Sequence, residues 1–458
     1  MQKVNCDVLI IGGGPAGGVC AITAKMNYPE KNILVIREHE IQLVPCAIPY
    51  VFGETLGCTD KNIASCAAAV DMGIQTMLGK VNTIDTKNKI AYSQETEIHF
   101  DKIVLATGSM PFVHKSLEHS LALEGVFTIP KNKKLIDKAK NYIDDKKSVV
   151  IVGTGFIGVE MAIEFGLCGK DVTIIGGSKH ILKGSFDNEV ASRAEEILAN
   201  HNVHFIGNDR VTSILDTNGD KIVNMVELKS GRTVNAEVVI LATGYKPNTA
   251  LAQQSGISLS HYGGIWVDEY MRTENCDILA VGDCCVRRDF ITKTPSKVML
   301  ASTSAAEGRI AGSSLYGLKY MKSFSGTIAI FSTMISHHAF ASAGLTEAEA
   351  KASGIDIVTG SFRGINRHPA TIPGAQKQLV KLIATRHGGR IIGAQIIGGV
   401  ESGEMINILG LAIENQLSLY TIMTMQIATQ PMLTAAPTNY PIVMAAVLAI
   451  KEIEVGKS

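Results

Sequence analysis

The sequence has no C-x-x-C pair among its nine cysteines and no cysteine–histidine spacing of the metal-binding kind, which argues against a zinc finger or ribbon and predicts no metal site. The cysteines (Cys6, Cys20, Cys46, Cys58, Cys66, Cys168, Cys276, Cys284 and Cys285) are odd in number, so a closed secreted disulfide framework is not indicated and a reducing cytoplasm is expected. There is no excess charge of either sign, with 43 Lys plus Arg against 43 Asp plus Glu. That balance argues against nucleic acid or an anionic membrane as the main partner and favours a small molecule. The longest late apolar stretch, Pro441–Ile450, falls far short of the ~20 residues that span a bilayer. The uncharged run Val8–Ala24 imitates a leader, but Asp7 abuts it and its centre is Gly-Gly-Gly-Pro-Ala-Gly-Gly, a turn and not an apolar helix, so no cleaved signal is expected. Aromatics are scarce at 5%, whereas glycines number 44, the composition of Gly-rich turns joined to aliphatic parallel strands.

A chain of 458 residues is long enough for about three domains. Asp7–Ile11 reads as a buried strand, Gly12–Gly18 as a tight turn, Val19–Met26 as a helix and Ile33–Ile36 as a second strand. The same order returns in Ser148–Val152, Gly153–Gly158, Val159–Leu167 and Asp171–Ile175, which predicts two βαβ units in one chain. Between them the Lys-rich stretch Lys131–Lys147 carries Leu135, Ile136, Ala139 and Ile143 at near-helical spacing and reads as a solvated helix. From Gly326 the texture changes to alternating strands at Gln378–Ala384 and Arg390–Ile397, then a helix from Glu401 to Asn415. The apolar Ser418–Ala449 stretch predicts a subunit interface.

Both turns satisfy G-x-G-x-x-G directly after a strand: Gly12-Gly13-Gly14-Pro15-Ala16-Gly17 and Gly153-Thr154-Gly155-Phe156-Ile157-Gly158. Such glycines permit the turn, admit a pyrophosphate to the backbone and pack the helix closely, and the helix N-terminus supplies N–H donors. Two near copies, Asp101–Gly108 and Glu237–Gly244, each run from an apolar strand into Ala-Thr-Gly. A third strand, Asp277–Val281, delivers Gly282-Asp283; the aspartate is an acceptor for a hydroxylated chain or else a helix cap.

On these motifs the chain resembles the pyridine nucleotide-disulfide oxidoreductases over essentially its whole length. The resemblance implies an α/β fold with two Rossmann-like nucleotide-binding domains and a C-terminal α+β dimerisation domain. The expected boundaries are 1–112 plus 271–325 for FAD, 113–270 for NADH or NADPH, and 326–458 for homodimer formation. It places FAD against Gly12, Gly14, Pro15, Ala16, Gly17, Arg37 or Glu38, Pro45, Cys46, Val81, Ala106, Thr107, Gly108, Gly282, Asp283 and Ala301. It places NAD(P)H against Gly153, Gly155, Phe156, Ile157, Gly158, Glu160, Gly176, Lys179 and Gly244. The position where an acid would bind an NADH ribose is Gly176, followed by Gly177, Ser178, Lys179 and His180, so NADPH is expected to serve at least as well as NADH.

Lipoamide and glutathione reductases pair two cysteines near position 46, but here the position of the second is Val51. What remains, Cys46-x-x-Pro49-Tyr50 and Gly53, resembles the one-cysteine branch of coenzyme A-disulfide reductases, NAD(P)H polysulfide reductases, and NADH oxidases and peroxidases. Pro15 and Ala16 stand where peroxidases and water-forming oxidases of that branch carry a histidine, which demotes the peroxidase. Cys284-Cys285 is an auxiliary redox pair or buried packing, and His337-His338 are neighbours on opposite strand faces, not a metal pair. The expected catalytic residues are Cys46, Glu160 beside the nicotinamide, and Tyr440 brought by the partner subunit. Cys46, at a helix mouth, is expected to have a lowered pKa. The expected reaction is NAD(P)H-dependent reduction of a low-molecular-weight disulfide, persulfide or polysulfide. The alternatives are an oxidase acting on dioxygen and a reductase of an iron–sulfur or rubredoxin partner.

Overall fold

The computed structural model describes residues 2–94, 96–318 and 323–455. Apolar runs too continuous to alternate, such as Val8–Ile11 and Val149–Val152, are buried on both faces because helices cover one side of each parallel sheet and a small separate sheet covers the other, with Ile84, Ala91 and Ile98 on the first and Ile214, Val226 and Leu228 on the second. The first parallel sheet has the order Ile278–Ala280, Lys102–Leu105, Val8–Ile11, Ile33–Arg37, Gln75–Leu78. The second has the order Val126–Thr128, Val238–Leu241, Ser148–Val152, Asp171–Ile175, Val203–Ile206. In each, the strand before Ala-Thr-Gly lies directly beside the strand before the glycine turn.

The two nucleotide helices start earlier than periodicity indicates, at Pro15–Asn27 and Phe156–Leu167, and not at Val19 and Val159. The reason is local: Pro15 is tolerated in the first turn, where its missing N–H costs no intrahelical bond, so only Gly12–Gly14 remain as turn. The Lys-rich helix is also shorter, Lys133–Ile143, capped by Asn132, with Ile136, Ala139 and Ile143 buried. Lys131 lies outside it.

The third sheet is antiparallel, in the order Ile330–Ile335, His338–Gly344, Ile391–Gly398, Lys377–Thr385, Ile357–Ile365. Helices Ser402–Glu414 and Pro441–Val455 pack on it around a core containing Val380, Leu382, Leu409 and Ala445. This unit is locked to the second parallel-sheet unit by buried Lys381, whose Nζ is 2.8 Å from Asp187 Oδ2 and 3.2 Å from Glu347 Oε1. Asp187 also accepts from Gln395 Nε2 at 2.7 Å. The two parallel-sheet units are joined by a ribbon in which Ser109–Pro111 pairs antiparallel with Tyr245–Pro247. Thr107 Oγ1 donates to the Asn248 carbonyl at 2.6 Å, and Thr243 Oγ1 donates to the Phe112 carbonyl, so each Ala-Thr-Gly threonine grips the continuation of the other strand. Among the described residues no helix is long and apolar enough to cross a membrane.

Candidate active site at the junction of the units

The glycine turns have the shape that a pyrophosphate needs. Gly12 has φ +115°, and a Cβ there would lie 2.2 Å from the Ala106 carbonyl oxygen; Gly153 repeats this at φ +120° and 2.2 Å from the Ala242 oxygen. These glycines are required by the protein's own packing. Gly14 and Gly155 differ: nothing lies within 4 Å of where their Cβ would stand. Open space over two helix N-termini is the room that a diphosphate and its backbone N–H contacts occupy, so the chain fits two dinucleotides.

Around the first turn, Ala16 packs against Gly282, while Val81 and Ala106 are buried in the core. Arg37 ends its strand with its side chain over Gly13; Glu38 is exposed and paired with Lys80 at 3.3 Å. Gly108 and Gly244 both take positive φ at the ends of their Ala-Thr-Gly segments, and Ala301 opens the helix Ala301–Ser314.

Asp283 is not a helix cap. It lies in a three-residue 3-10 turn, Gly282–Cys284, and its carboxylate accepts from Ser109 Oγ at 2.8 Å and Lys131 Nζ at 3.1 Å. Arg287 Nη1 lies 3.5 Å from its other oxygen. Burial pushes the Asp283 carboxyl up, but Lys131 and Arg287 outweigh it and hold the group below the usual carboxylate range. Arg287 in turn forms a buried pair with Glu307, Nε to Oε1 at 2.7 Å, and Glu307 accepts from the Gly282 N–H at 2.7 Å. The network thus fixes both the backbone and the side chain of Gly282-Asp283. Lys131 and Arg287 escape a reading by motif, although Arg287 stands four residues after Asp283.

Cys46 is an exposed free cysteine in the 3-10 turn Pro45–Ala47, followed by a second such turn, Pro49–Val51. Two three-residue turns give no extended helix dipole, and the expected lowering of its pKa is overturned. Crowding of the sulfur by protein atoms and the Glu160 charge push the thiol above its usual pKa of 9.0, against a smaller opposing pull from Lys131. Val51 is fully buried, so the place of a second cysteine belongs to the core.

Glu160 projects from the second nucleotide helix and is 9% exposed. Its Oε1 accepts from Thr333 Oγ1 at 2.8 Å, and Tyr50 is hydrogen-bonded to the same carboxyl. Burial raises its pKa to about 7 despite these two donors. Tyr50 comes from the segment after Cys46 and Thr333 from the first strand of the C-terminal unit, so three units meet at one carboxyl. Phe156 of the second turn stacks on Phe331 of that same strand, with centroids 4.8 Å apart. Phe156 and Ile157 also pack against the buried cluster that contains Phe186 and Phe340. Thr333 and Phe331 carry no local sequence signal, because their partners are set by how the units dock.

Tyr440 is buried in the C-terminal core cluster of its own chain, and burial raises its pKa. Gly176 abuts Thr154 of the second turn, and Lys179 is exposed nearby. His180 Nδ1 lies 3.2 Å from Glu195 Oε1. The Cys284 and Cys285 sulfurs are 4.0 Å apart and buried as free thiols. Among the described residues no group of three His, Cys, Asp or Glu side chains could hold a metal ion.

The family profile described as pyridine nucleotide-disulphide oxidoreductase matches residues 6–308, and that of its dimerisation domain matches residues 330–440. An NAD(P)H coenzyme A polysulfide/persulfide reductase of Pyrococcus horikoshii is 33% identical, with 87% of this chain and 88% of the relative covered. An NADH oxidase of Methanocaldococcus jannaschii is 28% identical, covering 97% and 99%. The solved structure of an NAD-dependent persulfide reductase from A. fulgidus superposes with a TM-score of 0.90 at 27% identity, covering 99% of this chain and 84% of that one. With a matching profile over most of its length and the paired nucleotide turns in place, the chain belongs to the pyridine nucleotide-disulphide oxidoreductases, a family of FAD- and NAD(P)H-dependent oxidoreductases.

Proposed function

We propose that this enzyme uses NAD(P)H to reduce a low-molecular-weight disulfide, persulfide or polysulfide, with Cys46 as the only cysteine taking part. The observation that carries the reading is the setting of Cys46: an exposed thiol, within electrostatic reach of Glu160 and Asp283, with a buried valine where a disulfide partner would stand. The P. horikoshii relative supports the same class of substrate.

In this reading residues 1–112 and 271–325 hold FAD, 113–270 hold NAD(P)H, and 326–458 join two copies into a homodimer in the cytoplasm. Gly12, Gly14 and Gly17 admit the FAD pyrophosphate and Asp283 accepts from its hydroxylated chain; Gly153, Gly155 and Gly158 do the equivalent for NAD(P)H, with Glu160 beside the nicotinamide. When bound, FAD relays the electron pair of NAD(P)H to sulfur. The Cys46 thiolate attacks one sulfur of the substrate, forming a mixed disulfide and releasing the other sulfur as a thiolate, which takes up one proton. An electron pair and a second proton then split the mixed disulfide, releasing the second thiol and restoring Cys46. The sum is RSSR + NAD(P)H + H⁺ → 2 RSH + NAD(P)⁺. A second copy of the chain brings its 430–440 segment to Cys46 in this scheme, and Tyr440→Phe tests whether that hydroxyl protonates the leaving thiolate.

An anaerobic panel of coenzyme A disulfide, coenzyme A persulfide, polysulfide and quinone tests the reading directly. Fast turnover with a sulfur acceptor supports it; turnover with none of them, beside fast reoxidation by dioxygen, replaces it with the oxidase reading that the M. jannaschii relative favours.

A further inference from the structure

The strand Asp171–Ile175 ends at Gly176-Gly177, the corner that abuts the second glycine turn: a Cβ on Gly176 would lie 2.5 Å from Thr154 Cγ2. A Cβ on Gly177 would lie 2.8 Å from Arg210 Nε and 3.1 Å from Arg210 Cγ, so the arginine side chain lies along the Gly177 backbone. Arg210 comes from a different part of the chain, after the strand Val203–Ile206. That segment is tied to the corner by Gly176 N–H to the Ile206 carbonyl at 3.0 Å and Asn208 N–H to the Ser178 carbonyl at 2.9 Å.

The carboxylates nearby are turned to the protein. Asp209 accepts from Ser230 Oγ at 2.5 Å and from the Arg210 N–H at 2.9 Å. Glu195 is held by His180 and by the Ile181 N–H at 3.0 Å. Arg210 and Lys179 are both exposed, and among the described residues neither side chain has an ion-pair partner. Two cations without an ion-pair partner among the described residues therefore stand beside the turn whose Gly155 has nothing within 4 Å of where its Cβ would lie.

We propose that Arg210 is the specificity-determining residue for the nicotinamide nucleotide: its guanidinium binds the phosphomonoester on the adenosine ribose of NADPH, with Lys179 as a flanking charge, and NADPH is preferred over NADH. A planar guanidinium presents paired N–H donors that match phosphate oxygens, whereas the free 2′-hydroxyl of NADH offers it no charge. The inference rests on the assignment of the second turn to NAD(P)H.

The test is Arg210→Gln in the FAD-loaded enzyme, assayed with an artificial dye so that the identity of the sulfur acceptor does not enter. The ratio of kcat/KM for NADPH to that for NADH falls at least tenfold, and Arg210→Lys retains part of the preference. By calorimetry 2′,5′-ADP binds the wild type more tightly than 5′-AMP, and Arg210→Gln removes the difference. An unchanged ratio, an equal loss for both nucleotides, or a wild type that prefers NADH overturns the proposal. Failure of both adenine nucleotides to bind the wild type overturns the assignment of the turn beneath it.

Discussion

Thr333 Oγ1 donates to Glu160 Oε1 across 2.8 Å, tying the first strand of the C-terminal unit to the second nucleotide helix at a buried carboxyl. The folded pKa of Glu160 is raised from 4.5 to about 7, so the stability it contributes is fully present below pH 4.5 and lost as pH rises through 7. Glu160→Gln, which stays neutral, should therefore gain stability relative to wild type between those values, by at most ~3 kcal/mol at pH 8. Thermal unfolding of both proteins at pH 5 and pH 8 checks this; a difference independent of pH refutes it.

Cys46→Ser is expected to retain FAD and to keep NAD(P)H oxidation with artificial dyes while losing sulfur-substrate turnover by at least a hundredfold. A serine variant that reduces polysulfide at the wild-type rate removes Cys46 from the chemistry.

Lys131 touches two parts of the site. Lys131→Met removes the 3.1 Å contact to Asp283 and a cation that favours the Cys46 thiolate. FAD should dissociate more readily, with a Kd at least tenfold higher (~1.4 kcal/mol), and iodoacetamide should alkylate Cys46 more slowly at pH 8. Unchanged FAD affinity and alkylation rate would make Lys131 a surface residue.

Lys381 is 4% exposed and neutralises Asp187 across the seam between units. Lys381→Met leaves a buried carboxylate without its partner, a change that costs ~3–5 kcal/mol. Denaturant unfolding of the FAD-loaded enzyme should show a lower midpoint; an unaltered one would mean that Asp187 is satisfied by Gln395 alone.

Much of this was legible in the sequence for a physical reason. Glycine turns and aliphatic strands encode their geometry locally, so both nucleotide units and Asp283 could be found from spacing. The helix starts at Pro15 and Phe156 were missed because the glycine motif runs into the first helical turn and masks it. The raised pKa of Cys46 has no local signal because it depends on burial of the sulfur in the folded chain, on a carboxyl more than a hundred residues away and on turns too short to carry a dipole. Lys131 looked like one lysine among many; only the third dimension brings it to Ser109 and Asp283.

The ribbon formed by Ser109–Pro111 and Tyr245–Pro247 has a consequence for how such enzymes diversify. Ser109 and Pro247 face each other in register, so the chain leaves the first unit and returns to it at neighbouring points, ~5 Å apart as in any antiparallel pair. Everything between is a closed cassette. A replacement of the same entry and exit would still have to present a cation to Asp283 and a carboxyl to Tyr50, as Lys131 and Glu160 do here, so these two residues limit how far the segment can vary while Cys46 and its neighbours in the first unit stay where they are.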